Sequence, residues 1–435
     1  MFKFLHAADI HLDSPLRGLD RYDGAPVEEI RGATRRALEN LVRVAIEQQV
    51  AFVVIAGDVY DGDWPDFNTG LFFVRQMGKL REAGIPVVLI SGNHDAENKM
   101  TRALELPDNV RRLATRKPET VDGREIGVRL TDCDVLFHGQ GFASATVDEN
   151  VVQRYPPGRS GAFNIGLLHT SLEATGGEHA RYAPCAVSDL VSRQYDYWAL
   201  GHIHKARVIQ AEPPIVFPGN IQGRHIREAG PKGCQLVTVD DRNRPALEFV
   251  PLDVFRWHEL TVAADGAKRA DDVLGLIGQA LHRLVQQQGE WPLAVRVLVT
   301  GCCPAHRTLA AAPEVWANQV RAVAAGAGEV WVEKVKFQTA EVGAAEAVAA
   351  GSAAMDDGPL LELTALIEEI GNDDRRLLEL TDELAAFKKK LPAELLSDRA
   401  GEEPLRVEEP AFWRSVLAQV EPLLRTRLVA EEDGA

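Results

Sequence analysis

Short continuous apolar runs alternate along this chain with longer stretches in which apolar side chains recur every three or four positions. Residues 2–10 (FKFLHAADI) read as a buried strand. Residues 28–49 read as a helix whose apolar face carries Ile30, Ala33, Ala37, Leu41, Val44 and Ala45. AFVVIAGD is a second buried strand ending in Gly-Asp, followed by a helix over 68–83, and IPVVLISGNHD is a third run closing on polar residues. That alternation predicts a strand layer buried beneath helices. Five later runs, DVLFHGQGF, FNIGLLHT, YDYWALGHIH, PIVFPGN and CQLVTVD, follow with shorter connections, which implies a second sheet. The expected class is α/β, a β-sandwich flanked by helices rather than one open parallel sheet.

Near residue 255 the pattern resets. HELTVAA, LAVRVLVTG and EVWVEKVKF read as strands and 271–288 and 313–325 as helices, a small α+β second domain. The Ala/Gly-rich EVGAAEAVAAGSAAMDDG reads as a linker. Residues 359–390 then give an amphipathic helix or hairpin, and 410–429 another helix. The expected boundaries are 1–255 for the first domain, 256–340 for the second, 341–358 for the linker and 359–435 for a helical tail. No apolar run reaches the roughly 18 residues of a membrane span, and the N-terminus is charged too early for a signal peptide. Five scattered cysteines (Cys133, Cys185, Cys234, Cys302 and Cys303) without CxxC spacing fit reduced thiols in a cytoplasmic protein.

A composition of 46% hydrophobic and 26% charged residues excludes disorder as the dominant state. The net charge of −16 argues at first against a nucleic-acid partner. Its distribution changes that. From Glu341 onward there are 22 acidic and 10 basic side chains, a balance of −12, which leaves −4 for the first 340 residues.

Five motifs sit at the end of an apolar strand or just beyond it: Asp9-Ile-His11, Gly57-Asp58, Gly92-Asn93-His94-Asp95, His169 and Gly201-His202-Ile203-His204. Loops beyond strand ends are where α/β sheets bind ligands. Singly, each has an ordinary reading as a satisfied histidine, a turn or a cap. Together, in this order, they predict a two-ion centre. Alternation on a strand end would turn Asp9 with His11, and His202 with His204, to common faces. Carboxylates, an amide and imidazoles suit Mn²⁺ or a similar octahedral ion better than structural zinc. A carboxylate such as Asp58 can bridge two ions, and ions about 3.5–4 Å apart clamp a phosphoryl group.

In the order D-x-H, G-D, G-N-H-D, H, G-H-x-H the chain resembles calcineurin-like metallophosphoesterases. Within them it is most similar to the SbcD/YhaO group of DNA repair exonucleases, bacterial relatives of the double-strand-break repair nuclease. FLHAADIHLDSPLRGL and PGNIQGRHIREAGPKGC look like the YhaO branch in particular. The motif likeness covers roughly residues 1–255, and the remainder only in layout. It implies one ion on Asp9, His11, Asp58 and His204, a second on Asp58, Asn93, His169 and His202, and Asp58 as the bridge. It also implies that His94 faces the phosphate and protonates the leaving oxygen or stabilises its charge. Asp95 either orients His94 or caps its loop. Some relatives carry, three residues after the bridging aspartate, a histidine thought to help position DNA phosphate. This chain has Asp61 there, which cannot serve as a cation.

His6 and His138 read as structural. Candidate phosphate contacts are Arg17, Arg21, Arg224, His225 and Arg227, the last three concentrated in a loop soon after the GHIH motif; the alternative is a solvated loop. RRLATRK (111–117) reads as a solvated helix end or turn. Trp64 and Phe67 stack on a base or pack in the core or a dimer. Members of the group work as dimers with an ATPase of the structural-maintenance-of-chromosomes type (SMC-like, SbcC or YhaN class). The apolar stripes Leu360, Leu363, Leu366, Ile367, Ile370, Leu377, Leu380 and Leu384, and Leu405, Phe412, Trp413, Val416, Val420 and Leu423, fit docking to such a partner or folding back onto the second domain. The expected activity is that of a two-metal, Mn²⁺-dependent DNA exonuclease, 3′→5′, with endonuclease action left open. The alternatives are a phosphodiesterase or phosphatase for small nucleotides and an ATPase-anchoring scaffold with weak catalysis.

Overall fold

The computed structural model describes residues 1–14, 32–61, 67–97, 104–131, 133–172, 182–289, 291–342, 359–377, 406–407, 409–418, 420 and 424. Arg17, Arg21, Trp64, Leu380, Leu384, Leu405 and Leu423 lie outside these residues, as does most of the segment expected as a linker.

Runs rich in β-branched and aromatic side chains form strands wherever both faces are covered. In chain order these are β1 (Phe2–Ala7), β2 (Phe52–Ala56), β3 (Val87–Ile90), β4 (Val110–Arg112), β5 (Glu119–Asp122) and β6 (Asp134–Gly139). They continue with β7 (Ala162–His169), β8 (Tyr197–Gly201), β9 (Arg207–Ala211), β10 (Pro214–Phe217), β11 (Gly233–Val239) and β12 (Pro245–Pro251). Two six-stranded sheets result, ordered β12-β11-β1-β2-β3-β4 and β5-β6-β7-β8-β10-β9. Both are mixed. β1 to β4 run parallel while β11 and β12 pair antiparallel beside β1. β6, β7, β8 and β10 run parallel between antiparallel β5 and β9.

Phe4, Phe52, Phe137, Phe163 and Tyr197 interleave between the two sheets. The Phe4 and Phe52 rings stack with centroids 5.0 Å apart, and Phe137 meets Phe52 edge-on at 5.0 Å. Truncating one of these rings to alanine costs about 3–5 kcal/mol. Helices α1 (Ala33–Glu47) and α2 (Asn68–Glu82) cover the other face of the first sheet, where Leu38, Leu41, Phe73 and Met77 join Leu5, Val53 and Ile55. The second sheet's other face buries Trp198, Tyr155, Leu190 and Phe217. This is the flanked α/β sandwich expected from the sequence.

His6 lies wholly buried in β1, its Nδ1 2.9 Å from the Tyr197 hydroxyl. Burial pushes the imidazole down to about 3, against a smaller opposing effect of a backbone bond with Leu200. His6 is therefore neutral when folded. Below about pH 6.5 the unfolded chain takes up a proton that the folded chain refuses. Stability then falls by up to about 1.4 kcal/mol per pH unit until the pH nears 3. His6→Leu is expected to flatten the acid limb of denaturant midpoints between pH 6.5 and 4. An unchanged slope would remove His6 as its source.

The chain divides into two compact units, Met1–Glu259 with Gln288–Arg296 and Glu329–Glu333, and Leu260–Gln287 with Val297–Gly328 and Lys334–Ala435. Beyond β12, strands β13 (Arg256–Ala263), β14 (Leu293–Cys302) and β15 (Val330–Ala340) form a three-stranded sheet. With α3 (Asn93–Glu97) and α4 (Val187–Val191) preceding them, the later helices are α5 (Ala270–Gln288), α6 (His306–Ala311), α7 (Pro313–Ala325) and α8 (Pro359–Asn372). α5 buries Val273, Ile277, Leu281 and Leu284, and α7 buries Ala317, Val320 and Ala324, as their apolar spacing predicts. In the tail, Arg414 donates to the Gly371 carbonyl at 2.8 Å and pairs with Asp374. No described helix is long and apolar enough to cross a membrane.

Candidate metal centre

Past β1 and β2 the chains stay paired: Asp9 N donates to Gly57 O (3.0 Å), His11 N to Asp58 O (3.1 Å) and Leu12 N to Val59 O (2.9 Å). The backbone is not strand-like there. Asp9, His11 and Asp58 have φ of 50°, 44° and 52°, and His202 has 100°. Left-handed φ is uncommon outside glycine and persists only where the surroundings enforce it, typically at functional sites. This corrects one expectation. β1 stops at Ala7 and β8 at Gly201, so left-handed turns, and not strand alternation, aim Asp9, His11 and His202. Two glycines permit the close approach. A Cβ at Gly92 would lie 2.2 Å from Asp58 Oδ1, and one at Gly201 would lie 2.0 Å from Ala56 O and 2.9 Å from His169 Nδ1.

Six predicted ligands converge. His169 Nδ1 donates to Ala56 O at 2.9 Å, which leaves a lone pair on Nε2, 3.2 Å from Asp58 Oδ2 and 3.1 Å from Asn93 Oδ1. His204 Nδ1 donates to Glu228 Oε1 at 2.6 Å, so its Nε2 turns a lone pair to His11 Nε2 at 3.1 Å. His11 Nε2 is 3.9 Å from Asp58 Oδ2. Ligand atoms of Asp9, His11 and His204, of His11, Asp58 and His94, and of Asp9, Asp58 and His169 lie within 4.8 Å of one another. His202 is in none of these groups; its main-chain N donates to both Asp9 oxygens (3.0 and 3.1 Å), and its ring stands edge-on to His169 at 5.3 Å.

Acceptors facing acceptors in a buried site repel unless a cation sits among them. Neighbouring ligands of an octahedral ion with bonds of about 2.1 Å lie roughly 3 Å apart, the spacing seen here. The donor set therefore fits divalent ions. Its protonation agrees. Burial opposes the His169 imidazolium, but Asp58 and Asp9 outweigh it and push the group up to about 9. Burial likewise disfavours ionised Asp58, yet His169, His11 and His94 hold its carboxyl well below the usual range. A proton and a cation compete for the same place at His169. His11 is pushed down to about 3 by burial and by Arg224.

His94, in α3, stands partly exposed at the rim. Its main-chain N donates to Asp58 Oδ1 at 3.0 Å, and its ring meets that of His11 edge-on at 5.0 Å. Asp95 does not face it. Asp95 accepts main-chain N–H bonds from Gly92 (3.0 Å), Val59 (3.3 Å) and Tyr60 (3.0 Å), the cap alternative and not the orienting one. The carboxylate against His94 is Asp61, with Oδ1 3.1 Å from Nδ1. Burial works against His94's charge, but Asp61 and Asp58 raise its pKa above the ordinary histidine value. Asp61 also lies 3.6 Å from His11 Nδ1 and accepts from the Ser14 hydroxyl.

Residues 2–206 match the family model for calcineurin-like phosphoesterases, and residues 257–340 match that for the middle domain of metallophosphoesterase YhaO. An uncharacterized metallophosphoesterase YhaO of Bacillus subtilis is 33% identical over 302 residues, 69% of this chain and 72% of that protein. The chain belongs to the calcineurin-like metallophosphoesterases. Two proteins named DNA double-strand break repair protein Mre11 are also similar. That of Sulfurisphaera tokodaii is 24% identical over 60% of this chain and 65% of its own length. That of Methanopyrus kandleri is 26% identical over 62% of this chain and 61% of its own. The matches thus span slightly under two thirds of each Mre11 protein.

In this metallophosphoesterase Arg224 is the basic residue of the loop that pairs with both Asp61 and Glu228. Arg224 reaches inward, with Nη2 3.1 Å from Glu228 Oε1 and Nη1 3.6 Å from Asp61 Oδ2. His225 is half-buried, its Nε2 3.6 Å from Glu228 Oε1, and Arg227 is exposed. In the run 111–117, Arg111 pairs with Glu119. His138 is held by Thr120 and Asn164, in keeping with a structural role. Two carboxylates of the site, Asp61 and Glu228, were missed as participants by sequence reasoning. Asp61 carried a signal, since it sits three residues past Asp58, a position the sequence reading had already singled out. Glu228 carried none beyond ending a basic loop.

Proposed function

We propose that this metallophosphoesterase is a two-metal DNA exonuclease that trims DNA ends during repair, 3′→5′, with endonuclease action as a further capacity. The observation that carries the reading is the convergence of Asp9, His11, Asp58, Asn93, His169 and His204 beneath His94. One ion would be held by Asp9, His11, Asp58 and His204, the other by Asp58, Asn93, His169 and His202, with Asp58 shared. Divalent ions there, manganese foremost, supply charge to a phosphodiester and acidify water. The protein's own residues do the rest. His94, kept protonated by Asp61, gives a proton to the leaving oxygen. Asp95 fixes the main chain of both loops that carry Asp58 and Asn93. Arg224 faces the phosphate, and His225 and Arg227 extend along the DNA backbone.

DNA as substrate is supported by the Mre11 relatives' names. The region 256–340 would cap the site or bind DNA, and the tail 359–435 would dock an SMC-like ATPase of the SbcC/YhaN type. Phe67 and Leu71, 52% and 56% exposed at the start of α2, are not core residues and offer an apolar patch to a second copy, which supports a homodimer. The chain would act in the cytoplasm.

The test sets end-labelled duplex DNA beside bis(p-nitrophenyl) phosphate, each with Mn²⁺ and with chelator. Both substrates are expected to be cleaved only with the metal. Cleavage of the small ester alone, with DNA intact even when the ATPase is added, would replace this reading with a small-nucleotide phosphodiesterase.

A further inference from the structure

Glu228 ends the short helical turn Ile226–Glu228 and is buried. Its Oε1 accepts from His204 Nδ1 (2.6 Å) and Arg224 Nη2 (3.1 Å). Its Oε2 accepts from Arg224 N (2.7 Å) and Asn220 Nδ2 (2.9 Å). Four donors fill the accepting capacity of one carboxylate. The chain around it is equally fixed. Lys232 Nζ donates to His204 O at 2.8 Å, and the Trp257 indole donates to Gly223 O at 2.9 Å. His204 is thus held at its main chain by Lys232 and at its ring by Glu228.

We propose that Glu228 is a positioning residue, acting through His204 and Arg224. By accepting from Nδ1 it fixes the His204 tautomer that presents a lone pair at Nε2, and it holds the ring in the plane that turns this atom towards His11. The same carboxylate sets the main chain and guanidinium of Arg224, so one group places both a metal ligand and the cation that faces phosphate. Outer carboxylates commonly orient metal-bound histidines in this way. Glutamine cannot substitute. It has one acceptor oxygen and an NH₂ group, and whichever way the amide turns, the NH₂ points at two donors. The inference rests on reading His204 as a metal ligand.

The experiment titrates Mn²⁺ alone into the full chain by calorimetry for wild type, Glu228→Gln, Asn220→Ala and His204→Ala, with metal-free melting curves to establish folding. Asn220→Ala removes a donor from the far oxygen and leaves the His204 bond in place. Glu228→Gln is expected to weaken one Mn²⁺ site about ten- to hundredfold, His204→Ala to weaken the same site, and Asn220→Ala to match wild type. The ¹⁵N spectrum of the imidazoles should show wild-type His204, identified by its loss in His204→Ala, protonated at Nδ1. Wild-type affinity in Glu228→Gln alongside weakened His204→Ala would overturn the proposal. So would equal weakening in Glu228→Gln and Asn220→Ala, which would mark loop packing. Should Glu228→Gln not fold, an Nε2-protonated His204 in wild type would overturn it instead. Full affinity in His204→Ala would overturn the ligand reading itself, and Glu228's role with it.

Discussion

Asp58→Asn is expected to remove hydrolysis of every phosphoester, by at least about 10³-fold in kcat/KM, or about 4 kcal/mol of transition-state stabilisation. The amide has the same shape, so His94 N keeps an oxygen acceptor at Asp58's position. What disappears is the anion 3.2 Å from His169 and 3.9 Å from His11, and with it the group proposed to share two ions. The variant is expected to stay folded because His169, no longer facing the Asp58 charge that raises it, sheds its proton and stands neutral. Its signature lies in linkage. Ligands that bind only the folded state raise the melting temperature with concentration, so wild type should be stabilised by Mn²⁺ and Asp58→Asn should respond far less. Thermal scans with and without Mn²⁺, run beside the ester assay, decide the matter. A full Mn²⁺ shift with intact turnover would remove Asp58 from the centre.

The same residue shows what the sequence made legible. Asp58, Asn93 and His169 were visible because each ends an apolar run, and the runs were visible because strands buried on both faces admit little but apolar side chains. The four strands that the pattern did not announce, β4, β5, β9 and β12, are the four edges of the two six-stranded sheets. Their side chains are largely half-buried or exposed, so no periodicity marks them. Motif positions were legible, but their backbone was not. A positive φ at Asp9, His11, Asp58 and His202 is imposed by tertiary contacts such as Asp9 N to Gly57 O. The carboxylates were the least legible. Asp95 lies beside His94 within a motif and Asp61 three residues past Asp58, yet only the fold turns the first to the main chain and the second to His94. Glu228 reaches His204 across 24 residues, and nothing local marks that pairing.

His94→Gln separates proton donation from metal holding. Loss of a general acid is expected to lower kcat on DNA by about 10²–10⁴-fold while Mn²⁺ binding is retained, since His94 belongs to neither proposed ligand set. The loss should depend on the leaving group. A sugar hydroxyl leaves poorly without a proton, whereas p-nitrophenolate leaves as a stable anion, so bis(p-nitrophenyl) phosphate should be nearly unaffected. The pH profile carries the second half of the test. His94 must be protonated to donate, so activity on DNA falls as pH rises through its pKa. Asp61 raises that pKa through the Nδ1 contact at 3.1 Å. Asp61→Asn withdraws the raising charge, so the alkaline limb should move to lower pH on DNA and stay in place on the small ester. Equal loss on both esters in His94→Gln would instead assign His94 to stabilising phosphate charge. An unmoved limb in Asp61→Asn would show that the Asp61 contact does not govern His94's proton.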